Sequence, residues 1–230
     1  MPELAAIDLG SNSFHMVVAR DDGELQVIDR LRERVALAEA VVDKRIDEGA
    51  AERALDCLRR FGQRIAHIPP SRVRAVGTNT LRKAANSRAF IQRAEAALGH
   101  RIEVVSGQEE ARLIYLGVVH DVADVPARRL VVDIGGGSTE LILGDGEDTL
   151  ERESVQMGCI RWRQKYFRDG VISAESMERA RVAARLEMRA WERRYRELGW
   201  DASVGASGTI RSVHAILRAN GWSDRGVTLG

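Results

Sequence analysis

The amino-acid sequence predicts an α/β protein built from two related domains. An apolar strand that ends in Asp and a Gly/Ser-rich turn opens the chain, and a second apolar strand follows at residues 14–20. The same order of strand, Asp, glycine turn and strand returns at residues 130–144, with Asp133 lying 125 residues after Asp8. Segments with helical spacing of apolar residues separate the two copies. A single repeat at this distance is typical of two related domains rather than a solenoid.

Length and composition agree with this prediction. At roughly 150 residues per domain, a chain of 230 residues favours two domains.

The net charge of +1 argues against a polycationic nucleic-acid-binding protein. Two cysteines form neither a disulfide framework nor a metal-binding pattern. The sequence has no apolar run long enough to cross a membrane and no signal-peptide pattern at its N-terminus, so we expect a cytoplasmic protein.

The first domain is predicted to begin with an antiparallel meander. Three strands at residues 4–9, 14–20 and 25–28 are separated by short polar turns. Helical spacing over residues 47–67 ends at Pro69. The remaining elements are a strand at 73–77, a helix starting at Thr78 or Asn79, a helix from Ser87 to Gly99, a strand at 102–105 and a helix from Ser106 to about Val119.

A polar link at residues 121–129 predicts the domain boundary, which gives domains of residues 1–124 and 125–230. The second domain repeats the strand–turn–strand pattern and continues into an arginine-rich helix over residues 174–198. A third glycine turn at 204–210 precedes another helix.

The glycine turns carry the functional prediction. A strand that runs into a Gly/Ser-rich turn leaves several backbone N–H groups without a sheet partner, and glycine lets an anion approach them closely. The aspartates at the strand ends, Asp8 and Asp133, could hold a divalent ion that bridges to phosphate oxygens. A single such turn has many structural uses. Two Asp-led copies and a third glycine turn favour phosphate binding.

The sequence resembles the exopolyphosphatase/guanosine pentaphosphate phosphatase family of the actin/Hsp70/sugar-kinase superfamily. Six segments in order carry this resemblance and span nearly the whole chain: residues 7–16, 78–82, 106–112, 133–140, 157–159 and 205–209. The resemblance implies two actin-like (ribonuclease H-like) domains with a phosphate-binding cleft between them. It also implies Mg²⁺-dependent removal of terminal phosphate from inorganic polyphosphate or guanosine pentaphosphate. Related proteins continue beyond the third glycine turn, so we expect the second domain to be incomplete at its C-terminal end.

Two adjacent glutamates are candidates for the catalytic base. Ser106 lies three positions before Glu109, which is the spacing of a capping box, so a structural role is expected for Glu109. Glu110 points about 100° away around the helix axis and can face a cleft. The resemblance independently places the catalytic glutamate at Glu110. A carboxylate near a helix N-terminus stays ionised, which is the state that a base requires.

Metal and phosphate ligands follow from the resemblance. It implies that Asp133 binds Mg²⁺ with help from Glu140, although strand alternation could instead turn Glu140 towards solvent. Asp8 is a direct or indirect metal partner, or else it only bonds its own turn. The phosphate-binding candidates are Ser11, Asn12, Ser13, Asn79, Arg82, Gly135, Gly136, Gly137, Ser138, Thr139, Ser207 and Gly208.

Two other functions stay open at this point. One is a small-molecule kinase or ATPase of the same fold, which 230 residues leave little room for. The other is a non-catalytic protein that binds polyphosphate or a nucleotide and does not hydrolyse it. The expected partner is a polyphosphate or guanosine pentaphosphate substrate, without nucleic acid or membrane, and the resemblance suggests a homodimer.

Overall fold

The computed structural model describes residues 2–122 and 125–223, and it divides the chain into two compact units, Met1–Ser106 and Gly107–Gly230. Both units are α/β, as the sequence predicts. The predicted boundary between residues 124 and 125 falls at Asp124, which lies outside the described residues. The compact units divide after Ser106, and the helix that follows packs on the second sheet. Among the described residues, no helix is both long and apolar enough to span a membrane.

The first unit contains a five-stranded sheet and three helices. Its sheet has the order β3-β2-β1-β6-β7, with β1, β2 and β3 antiparallel and β6 and β7 parallel to β1. The elements are β1 (Glu3–Leu9), β2 (Ser13–Asp21), β3 (Leu25–Arg34), β4 (Val41–Val42), β5 (Arg45–Ile46), α1 (Glu48–Ile65), β6 (Val73–Gly77), α2 (Asn79–Lys83), α3 (Ser87–Leu98) and β7 (Ile102–Val104).

Local sequence explains the ends of these helices. Asp47 caps α1 by accepting a hydrogen bond from the Ala50 backbone N–H at 3.2 Å. Gly99 ends α3 in the left-handed conformation with a φ of 77°, as expected for a glycine after a helix. The buried faces of α1 and α3 pack with the apolar side chains of β1 and β2 into one core.

The second unit contains a four-stranded sheet in the order β10-β9-β8-β11. Strands β8, β9 and β10 form an antiparallel meander, and β11 runs parallel to β8, which is the arrangement of the first unit. Within the described residues this sheet has no counterpart of β7. The elements are α4 (Gly107–Asp121), β8 (Arg128–Ile134), β9 (Thr139–Asp145), β10 (Asp148–Val155), α5 (Cys159–Tyr166), α6 (Ala174–Leu198), β11 (Ala202–Ala206) and α7 (Ser207–Ala219).

Strand alternation decides which helix covers which face of this second sheet. Val131 of β8 and Ile142 of β9 are fully buried against Ala111 and Tyr115 of α4. The intervening side chains point the other way, where Leu141 and Leu143 pack with residues of α6. The sheet therefore lies between α4 and α6.

Candidate functional site

A group of carboxylates lies on the α4 face of the second sheet. Asp133 and Glu140 are directly opposite each other in the β8–β9 ladder, so their side chains share one face of the sheet. That face also carries Val131 and Ile142, which lie two residues before Asp133 and two residues after Glu140, and these side chains contact α4. Glu110 lies in the first turn of α4, and its charge acts on Glu140. Three of the predicted site residues are thus brought together within one unit.

Glu140 is the most buried member of this group, with 1% of its surface exposed. Burial, and to a lesser extent the charges of Glu110 and Asp133, raise the pKa of Glu140 to about 8. The Ser154 hydroxyl donates a hydrogen bond to it at 2.8 Å. The alternative that Glu140 faces solvent is therefore wrong, because the alternation that it rests on points this side chain towards α4.

Asp133 lies near the end of β8 and is half-buried. Burial raises the pKa of Asp133, and a hydrogen bond with the Ser207 side chain partly offsets this effect. Two carboxyl groups that resist ionisation on one sheet face would be stabilised in their charged form by a cation.

The two glutamates of α4 have different surroundings. Glu109 forms a bidentate ion pair with Arg112, with nitrogen–oxygen distances of 2.8 and 2.7 Å. This pairing agrees with a structural role for Glu109. Glu110 is half-buried and interacts with the carboxylates of the sheet. Glu109 and Glu110 therefore contact different groups, as the helical geometry predicts.

The glycine turn at residues 135–138 joins the two strands that carry Asp133 and Glu140. The Gly135 N–H donates to the Ser138 carbonyl at 3.0 Å and closes the turn. The first residues of α5 bond to this turn: the N–H groups of Cys159 and Ile160 donate to the carbonyls of Gly135 and Gly136 at 2.9 and 3.0 Å. These turn carbonyls therefore accept hydrogen bonds from within the chain.

Gly158 makes this contact possible. A β-carbon at position 158 would lie 2.2 Å from the Gly136 carbonyl oxygen, which no structure tolerates. The sequence analysis includes residues 157–159 in the resemblance but assigns them no role. Ser154 is a second residue that the sequence analysis misses. Its position opposite Glu140 in the β9–β10 ladder is the signal that could have found it.

The first unit contains the equivalent turn. Gly10 corresponds to Gly135, and a β-carbon there would lie 2.8 Å from the Ser13 carbonyl oxygen. Asp8 is opposite His15 in the β1–β2 ladder, as Asp133 is opposite Glu140. The duplicated hairpin thus has a carboxyl–imidazole pair in one unit and a carboxyl–carboxyl pair in the other.

Most predicted phosphate ligands of the first unit surround this turn. Ser11 is buried and accepts a hydrogen bond from the Thr80 hydroxyl at 2.8 Å. Asn79 is 5% exposed, and its side-chain nitrogen has no hydrogen-bond partner in the described part of the chain. A buried amide donor without an acceptor can be satisfied by an anion.

Arg82 is half-buried and donates to the Val105 carbonyl at 2.9 Å, which fixes one side of its guanidinium group. Ser13 is buried in β2, and Asn12 lies beside it in the turn.

The predicted ligands of the second unit divide between two segments. Gly136 is half-buried in the turn, while Gly137, Ser138 and Thr139 are buried. The Thr139 hydroxyl donates to the Met157 carbonyl at 2.7 Å, so this side chain has a structural bond. Ser207 and Gly208 begin α7, beside the end of β8.

The oxygen ligands that this site offers are of the kind that a hard divalent cation binds. Asp133 and Glu140 offer carboxylate oxygens, which Mg²⁺ prefers, and both lie close to the glycine turn at residues 135–138. Within the described residues, no group of three or more His, Cys, Asp or Glu side chains is arranged to hold a metal ion. Mg²⁺ is usually bound by one or two carboxylates, with water and substrate phosphates completing its ligands. The two carboxylates therefore suit a cation that arrives with a phosphate substrate.

Comparisons with known proteins agree on one family. The profile of the Ppx/GppA phosphatase family matches residues 16–230. A guanosine-5'-triphosphate,3'-diphosphate pyrophosphatase of Vibrio vulnificus (strain YJ016) is 44% identical over 225 residues, which cover 97% of this chain and 45% of that protein. The chain thus spans less than half the length of this relative.

Solved structures give the same result. The crystal structure of an exopolyphosphatase-like protein matches with a TM-score of 0.86 and 28% identity, covering 95% of this chain and 69% of the other. The Aquifex aeolicus PPX-GPPA enzyme matches with a TM-score of 0.76 and 28% identity, covering 95% of this chain and 72% of the other. The two-unit α/β architecture is therefore that of known proteins with an actin-like fold.

Proposed function

Because the chain belongs to the Ppx/GppA phosphatase family, we propose that it hydrolyses the terminal phosphoanhydride bond of inorganic polyphosphate, of guanosine pentaphosphate or of both. The observation that carries this proposal is the grouping of Glu110, Asp133 and Glu140 at the strand ends that flank the glycine turn. The reaction is expected to depend on Mg²⁺ and to occur in the cytoplasm.

Glu110 is the proposed general base. It accepts a proton from a water molecule whose oxygen bonds to the terminal phosphorus, while the anhydride P–O bond breaks and its electron pair leaves with the shortened substrate. Its position in the first turn of α4 favours the ionised carboxylate. Glu140 keeps its proton near neutral pH when no cation is bound and would be occupied as a ligand when one is, which leaves Glu110 as the proton acceptor of the pair.

Asp133 and Glu140 are the proposed ligands of Mg²⁺, with Asp8 as a further candidate from the first unit. When bound, the cation neutralises charge on the phosphoryl oxygens. The chain's own part is to present two carboxyl groups on one sheet face, with the Ser154 hydroxyl bonded to Glu140.

Backbone N–H groups of the two glycine turns are proposed to bind the terminal phosphates, together with the predicted side chains of Ser11, Asn12, Ser13, Asn79, Arg82, Ser138, Thr139 and Ser207. Asn79 has the clearest physical support, because its buried nitrogen is a donor without an acceptor among the described residues. An anion supplies that acceptor and removes the cost of the unsatisfied group.

A pair of matched variants tests the proposal. Phosphate release from each substrate would be measured with and without Mg²⁺ for the unmodified chain, Glu110→Gln and Glu109→Gln. We expect Glu110→Gln to lose about a hundredfold or more of its rate, which is the usual contribution of a general base. Glu109→Gln should keep most of the activity, since the ion pair that it removes, with Arg112, is partly exposed.

Each other outcome has a definite meaning. Continued turnover by a folded Glu110→Gln protein would contradict the assignment of the base. Tight Mg²⁺-dependent binding of both substrates without phosphate release would favour the non-catalytic alternative. Transfer of phosphate from ATP to a small acceptor, without hydrolysis of polyphosphate, would favour a kinase.

A further inference from the structure

A row of exposed cations begins at the glycine turn of the second unit. It consists of Arg161 and Lys165 in α5 and Arg168 just after the end of this helix, and we call it the α5 row. The sequence has no Asp or Glu at residues 159–168. The Arg161 N–H donates to the Gly136 carbonyl at 3.2 Å. The row therefore starts at the turn itself and leads away from it.

The α5 row differs from the arginines of α6 in its partners. In α6, Arg193 forms an ion pair with Glu197 at 2.8 Å, and Arg196 forms one with Glu192 at 2.6 Å. Within the part of the chain that the structure describes, no member of the α5 row forms an ion pair with a carboxylate. The charges of the α6 arginines are thus compensated by their own helix, whereas those of the α5 row are available to an anion from solution.

Two aromatic rings fix the position of Lys165. Its Nζ atom lies 5.8 Å from the ring centroid of Trp162 and 5.0 Å from that of Tyr166. Cation–π contacts hold an ammonium group without neutralising its charge. Lys165 follows Arg161 by four positions, so both side chains lie on one face of the helix, about 6 Å apart along its axis. The two charges are therefore spaced along a line that starts at the turn.

We propose that the α5 row binds the phosphates of an inorganic polyphosphate chain that follow its terminal phosphate. This inference rests on the proposed binding of the terminal phosphate at the glycine turn. Polyphosphate carries negative charge on every phosphate along its length, which matches cations spaced along a helix. In guanosine pentaphosphate a ribose interrupts the phosphates, so fewer of its charges can follow the row. The α5 row therefore favours polyphosphate of long chain length as the substrate.

The experiment measures the affinity of the whole chain for long-chain polyphosphate and for tripolyphosphate. Isothermal titration calorimetry is done in metal-free buffer at two salt concentrations. Arg161→Gln/Lys165→Gln removes two charges of the row, and Arg193→Gln/Arg196→Gln is the matched control that lowers the net charge equally in α6. We expect the row variant to bind the long chain about fivefold or more weakly, because two exposed ionic contacts are lost. Its affinity should also depend less steeply on salt, while the control variant should bind the long chain normally.

A charge-conserving variant separates charge from shape. Arg161→Lys/Lys165→Arg keeps both charges and should bind the long chain normally. A loss of affinity in this variant as large as in Arg161→Gln/Lys165→Gln would overturn the inference, since charge would not then be what matters. Thermal unfolding checks that each variant is folded.

The remaining outcomes separate this inference from the proposed function. An equal loss of affinity for tripolyphosphate would overturn the inference, because the charges would then act only at the terminal phosphates. An equal loss in the α6 control would overturn it too, since net charge alone would explain the effect. A row variant that loses affinity for single-stranded RNA but not for long-chain polyphosphate would assign the row to another ligand. The hydrolase proposal is tested independently by phosphate release from Glu110→Gln and Glu109→Gln, and it survives if only the row variants behave normally.

Discussion

Glu140 should make the stability of the protein fall as the pH rises. Its pKa is about 8 in the folded chain, against an ordinary value of 4.5, chiefly because the side chain is buried. Below about pH 4.5 the carboxyl group is protonated in both the folded and the unfolded chain. Between that value and about 8 the unfolded chain ionises while the folded chain does not, so stability is lost across this window. Within this window, each pH unit lowers the free energy of unfolding by about 1.4 kcal/mol. The total loss is roughly 4 to 5 kcal/mol as an order of magnitude.

The substitution Glu140→Gln isolates this effect. Glutamine has the same shape and keeps an oxygen that can accept the hydrogen bond from Ser154, but it does not ionise. We expect the variant to gain stability over the unmodified chain by about 1.4 kcal/mol per pH unit between about pH 5 and 8. Urea unfolding in metal-free buffer at several pH values measures the difference.

An exposed carboxylate provides the control. Glu147 lies in the β9–β10 turn, and Glu147→Gln should leave the pH dependence of the unmodified chain unchanged. A difference between Glu140→Gln and the unmodified chain that stays constant from about pH 5 to 8 would refute the reasoning. It would mean that Glu140 ionises normally despite its burial.

Three further predictions follow from the same contacts. Divalent-cation affinity should rise with pH up to about 8, because Glu140 must lose its proton to act as a ligand. Calorimetry in two buffers of different ionisation enthalpy should show that protons are released when the cation binds. Binding without proton release would exclude Glu140 as a ligand. Gly158→Ala should destabilise the second unit by about 1–3 kcal/mol, because the added methyl group clashes with Gly136. Gly117→Ala, in helix α4, meets no atom within 4 Å and should stabilise the protein by up to about 1 kcal/mol. Thermal unfolding compares the two variants, and equal effects would contradict the close contact at Gly158. Asn79→Ala should leave stability nearly unchanged, because the Asn79 side-chain nitrogen has no partner among the described residues, but should raise KM for polyphosphate; an unchanged KM would exclude Asn79 from phosphate binding.

The duplicated hairpin shows how one backbone serves two chemistries. Asp8 and Asp133 hold the same place at the end of the first strand of each hairpin, yet His15 is opposite one and Glu140 opposite the other. Only the second hairpin therefore places two carboxyl groups side by side. In that unit, α4 adds a third carboxylate, which raises the electrostatic cost that a cation would relieve.

Local sequence was sufficient to predict most of the elements, although not β4, β5, β10 and α5. Strand alternation and turn residues predicted both hairpins, and Pro69 and Gly99 predicted closely where α1 and α3 end. The 100° rotation between neighbouring helical residues separated Glu110 from Glu109 without any coordinates. These features depend on residues within a few positions of each other, which is why the sequence alone determines them.

Contacts between distant segments were decided only by the tertiary structure. That α4 packs on the second sheet follows from the fit of Ala111 and Tyr115 against Val131 and Ile142, and no local pattern encodes which sheet a helix will cover. Burial of Glu140, and with it the raised pKa, is a consequence of the same packing. The hydrogen bond that the Ser207 hydroxyl donates to the Ile134 carbonyl likewise joins groups 73 positions apart in the chain. Burial and charge interaction arise from proximity in space, so they appear only once the chain is folded.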